Sequence, residues 1–161
     1  PARVSPFLEE IVLHGKGHFD LTAELDAFAA QLTTTMRTSR NHSLLITDKT
    51  PANVLAYARL LLNQNDAQVR AVLRSMESLC NAWMPLAYDV VIHCRDHYDQ
   101  EAGGDRFRGK VLHLQNETET TVYDAILDSG VPILDLPQGL TTQARVEWIA
   151  KALHTSGITL H

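Results

Sequence analysis

The chain has 161 residues, 45% apolar and 20% charged, with a net charge of −5 at pH 7, which fits one ordinary globular domain. Its uninterrupted apolar runs reach only four or five residues, too short to span a bilayer, and the negative balance disfavours nonspecific nucleic-acid binding. Two cysteines, Cys80 and Cys94, make no disulfide framework, and no basic stretch leads into an apolar one of signal-peptide type, so a cytoplasmic protein bound to neither nucleic acid nor membrane is expected.

The elements follow in order. "PFLEEIVLH", residues 6–14, reads as a helix closed by Gly15. Asp20 caps a second helix, in which Leu21, Leu25, Phe28 and Leu32 recur at helical spacing. "SLLIT", 43–47, reads as a short buried strand. It runs into Asp48-Lys49-Thr50, and Thr50-Pro51 has the form of an N-cap followed by the first helical position. The helix continues through "ANVLAYARLLL".

A further helix begins near Asp66. Its apolar face is Val69, Val72, Leu73, Met76, Leu79 and Cys80, and Pro85 is expected to end it. "YDVVIHC", 88–94, reads as a second strand, and its centre is apolar on both faces, as in a helix-covered parallel sheet. A polar stretch from Arg95 to Gly109 follows, then a threonine-containing helix over 113–128 that Gly130 stops. "VPILDLP" is the third strand. "TTQARVEWIAKALHTSG" is the last helix, with Val146, Ile149, Ala150 and Leu153 inward. Strands separated by helices indicate a single α/β domain over 1–161, three-layered, with a parallel sheet.

In such sheets ligands bind beyond the carboxyl ends of the strands. Here those ends read Thr47-Asp48-Lys49-Thr50 and His93-Cys94-Arg95-Asp96. Asp48 therefore either holds a metal ion or substrate hydroxyl, or, with Thr50, only caps the next helix.

"LLITDKTPANVLAYARLLL" resembles the segment of small P-loop kinases in which an apolar strand runs into an acid and a hydroxyl residue and then a helix with Ala-Tyr-Ala. "YDVVIHCRD" resembles a later strand of that group, "GGDRFRGK" its arginine-bearing lid, and "GVPILDL" with "TTQARVEWIAKAL" its closing strand and helix. The group includes ribosylnicotinamide-kinase-like and other nucleoside- and nucleotide-kinase-like domains of AAA type. The resemblance implies that Asp48 orients the acceptor or a hydrated Mg²⁺. It also implies that Arg106 and Arg108, in a lid over 95–112, close over transferring phosphates. Arg95 and Arg145 would contact ATP, and Arg3 and Thr50 the substrate.

One departure is large. No G-x-x-x-x-G-K-[ST] phosphate loop occurs in the 161 residues. In the family that loop follows a central first strand, so this chain is expected to lack that strand. Strands 43–47 and 88–94 would flank the gap, which a further N-terminal part or a partner chain would fill.

Other signals are weaker. "HGKGH", 14–18, has the wrong glycine spacing for a phosphate loop and reads as a helix stop and turn. His93, Cys94 and His97 suggest zinc, but the first two alternate faces of a strand and no fourth ligand is evident. Arg95, Arg106, Arg108 and Lys110 are balanced by Asp96, Asp99, Glu101 and Asp105, unlike a nucleic-acid patch. Trp83, Trp148 and Met76 read as core. The expectation is an ATP- and Mg²⁺-dependent kinase acting on a nucleoside- or nucleotide-like acceptor. The alternative is a noncatalytic binding or assembly protein on that scaffold, either one a homo-oligomer or completed by another chain.

Overall fold

The computed structural model describes residues 20–95 and 115–158, without the side chains of 115–117. Their order is α1 (Leu21–Ser39), α2 (Pro51–Leu61), α3 (Ala67–Ala87), β1 (Val91–Cys94), α4 (Gln115–Asp128), β2 (Ile133–Leu136) and α5 (Thr142–Thr155). It is a mixed α/β arrangement, dominated by helix, with a two-stranded parallel sheet.

Local chemistry starts the helices where the sequence places them. Asp20 accepts from the Ala23 N–H at 2.8 Å, and Asp66 accepts from Gln68 and Val69. At α2 the cap is reciprocal. Asn53 Oδ1 accepts from both the backbone N–H and the hydroxyl of Thr50, at 2.8 and 2.9 Å. The Asn53 N–H returns a bond to the Thr50 carbonyl at 3.0 Å. Gly130 and Gly157, both at positive φ, stop α4 and α5.

The core centres on α2, which packs against α1, α3 and α4. Its Ala52, Ala56 and Ala58 are fully buried and Leu55 nearly so, because alanines let neighbouring helices approach closely. Phe28 and Leu32 of α1, Leu73, Met76, Cys80 and Met84 of α3, and Val122, Ala125 and Ile126 of α4 complete it. Val91 and Ile133 lie against this core, one from each strand, and α5 contacts β2.

Several expectations need correction. Residues 43–47 are not a strand. They make no backbone hydrogen bond among the described residues, and Leu44 and Ile46 are 51% and 84% exposed. An apolar run becomes a strand only beside a partner. The second strand begins at Val91, not Tyr88, because α3 passes through Pro85 and ends at Ala87, with Tyr88 N–H bonded to Met84 O. Pro85 lies in this last turn on the exposed side, where the Asn81 carbonyl that it leaves without a donor can turn to water. Leu25, Leu79 and Val146 are exposed; Glu24, Met84 and Trp148 take more covered positions on their helices.

In the sheet, Val91 pairs with Ile133 and His93 with Asp135. The Val91 N–H donates to Pro132 O at 2.9 Å. The backbone groups of Val91 and His93 therefore face β2, and those of Ile92 and Cys94 face the opposite edge. Among the described residues no strand pairs with that edge.

Candidate functional site

The register sets His93 and Asp135 side by side on one face at the carboxyl end of the sheet. His93 is buried, and its Nδ1 lies 3.0 Å from Asp135 Oδ1. Arg95, immediately after β1, reaches the same carboxylate oxygen through Nη2 at 3.2 Å. From α4, Tyr123 covers both groups. Its ring centre is 4.9 Å from the His93 ring at 57°, and 5.4 Å from the Arg95 guanidinium carbon. Glu119, one turn earlier, places Oε1 3.9 Å from His93 Nε2.

Two groups compete for Nδ1. Asp135 approaches at 3.0 Å and needs a proton there, whereas the Arg95 Nε–H, at 3.3 Å, needs a bare nitrogen. An ionised carboxylate can only accept. The Nδ1–H tautomer satisfies it, and Arg95 keeps its bond to Asp135 through Nη2. In the other tautomer a nitrogen lone pair would face the carboxylate. Nδ1–H donating to Asp135 is therefore the arrangement of the neutral ring. The hydrogen bond from His93 holds the Asp135 carboxyl below the usual aspartate range, and the Arg95 charge adds to this.

The cluster offers a carboxylate fixed in its ionised form, a histidine of defined tautomer and a half-exposed guanidinium with donors left over. Together these can orient a polar ligand at the sheet end and meet a negative charge through Arg95. Cys94 lies on the other face, exposed, as strand alternation requires.

The remaining candidates are dispersed. Thr50 is buried and committed to its cap with Asn53. Asp48 is exposed, and among the described residues it has no hydrogen bond or ion pair and no link to the His93 cluster. Its neighbour Lys49 is fixed: its carbonyl accepts from Gln31 at 2.8 Å and its ammonium lies 5.7 Å from the Tyr57 ring centre. Arg145, in the first turn of α5, donates from Nε to Leu140 O at 3.0 Å. The loop between β2 and α5 touches both predicted nucleotide contacts, because Gln138 Nε2 also approaches the Arg95 carbonyl at 3.4 Å. Arg3, Arg106, Arg108, His97 and the lid beyond Arg95 lie outside the described residues.

Among the described residues no group of three histidine, cysteine or acidic side chains could hold a metal ion. No family model, curated protein or solved structure matches this chain.

Sequence reasoning missed Asp135, Glu119 and Tyr123. The available signal was an acid interrupting the apolar strand "ILDL", level with His93 once the two strands are aligned at their carboxyl ends.

Proposed function

We propose that this chain is the acceptor- and lid-bearing part of a small-molecule kinase, transferring the γ-phosphoryl group of MgATP to a nucleoside-like acceptor. The observation that carries it is the parallel β1–β2 pair ending in the His93–Arg95–Asp135 cluster, since open parallel sheets bind ligands at that edge. In this assignment Asp48 orients the acceptor hydroxyl or the hydrated Mg²⁺. Arg95 and Arg145, joined through the 137–141 loop, meet the nucleotide, and Arg106 and Arg108 neutralise the transferring group. Such a kinase is three-layered, with a central strand beside the open edge of β1 and a phosphate cradle that does not occur as G-x-x-x-x-G-K-[ST] within these 161 residues.

A noncatalytic assembly protein is the second reading. It is favoured by the exposure of Leu44, Ile46 and Leu86, the last at 80%. Any residues encoded ahead of Pro1 discriminate. A strand running into G-x-x-x-x-G-K-[ST], with phosphate transfer from MgATP to a panel of nucleosides by that longer protein, supports the kinase. A preceding sequence without the motif, and no transfer to any acceptor, supports assembly.

A further inference from the structure

His93 is the one described histidine placed between two carboxylates. Asp135 of β2 receives the Nδ1–H at 3.0 Å, while Glu119 of α4 faces Nε2 at 3.9 Å. The other charged or titratable groups facing the ring are Arg95, at the end of its own strand, and Tyr123 of α4. In the neutral tautomer Nε2 carries a lone pair and has nothing to give Glu119. A proton on Nε2 turns that contact into an ion pair between the strand and the helix.

We propose that protonation of His93 fastens α4 to the sheet, the imidazolium bridging Asp135 on β2 and Glu119 on α4. The device is a proton-operated clasp between three elements of the fold. The ring is buried, so the charge it gains is screened less than a surface charge, and both carboxylates needed to receive it are in place. Arg95 opposes protonation from the Nδ1 side, but its guanidinium is turned to Asp135 and stacked on Tyr123. The clasp does not depend on the identity of the ligand.

The test follows backbone amide exchange and histidine ring signals of the whole chain by NMR from pH 5 to 8.5. The His93 signal is assigned by its loss in His93→Gln. Protection of the α4 amides, taken relative to those of α3 so that changes in global stability cancel, should fall about threefold or more as His93 loses its proton. That is the scale of one partly exposed ion pair. Glu119→Gln leaves the helix and its packing in place and should remove the difference. It should also move the His93 titration to lower pH, as should Asp135→Asn. A constant α4-to-α3 ratio across the His93 titration would overturn the clasp. So would a Glu119→Gln chain that keeps the full change, and this variant decides the matter even if His93→Gln does not fold.

Discussion

His93 and Asp135 face each other across the register of β1 and β2, Nδ1 to Oδ1 at 3.0 Å, with Arg95 on the same oxygen. Because these partners hold the Asp135 carboxyl below its usual range, the folded chain favours its ionised form. The resulting stability is present above the ordinary aspartate value of about 3.9 and is lost as pH falls through and below it. Asp135→Asn should flatten this acid limb in urea unfolding between pH 3 and 6. An unchanged acid limb would contradict the assignment.

Glu24 behaves in the opposite sense. Burial raises its carboxyl from 4.5 to about 7, with the Asp20 charge adding to it. The folded state therefore holds a proton that the unfolded state releases. Its stability is full below about pH 4.5 and is lost as pH rises towards 7. Glu24→Gln should match the parent near pH 4.5 and be more stable at pH 8, by up to ~3 kcal/mol. Denaturation at the two pH values measures it, and a variant that is less stable at pH 8 would refute it.

The cap of α2 separates the roles of Asp48 and Thr50. Thr50→Ala should cost ~1 kcal/mol. Asn53→Ala should cost more, because it leaves both the amide and the hydroxyl of the buried Thr50 without their acceptor. Asp48→Asn, at an exposed side chain outside the cap, should lie within ~0.5 kcal/mol of the parent. Thermal unfolding of the three variants tests the order.

Leu44 and Ile46 are 51% and 84% exposed. Ile46→Thr should leave the stability of the isolated chain within ~0.5 kcal/mol. If these side chains serve assembly, the same substitution should weaken self-association in sedimentation velocity. A stability loss above 2 kcal/mol would place Ile46 in the core instead.

What was legible in the sequence was local. Asp20, Thr50-Pro51 and Asp66 announce helix starts because a cap is made by residues two or three positions apart. Gly130 and Gly157 announce stops for the same reason. The strand at 43–47 was misread because a strand is a property of two segments, and composition shows only one. Pro85 was misread as a terminus because its cost depends on the face and turn in which it falls. The site was half legible. His93 and Arg95 stand at a recognisable strand end, whereas Asp135, forty residues further on in "ILDL", joins them only through the register.

The most direct test of the kinase assignment is the mapping of amide shifts in the chain on addition of millimolar MgATP. The largest changes should fall on Arg95, Asp135 and the 137–145 segment, with smaller ones at Asp48, and should shrink in Arg95→Ala. Shifts concentrated on α3, with Arg95, Asp135 and the 137–145 segment unmoved, would contradict a nucleotide site at the carboxyl end of the β1–β2 sheet.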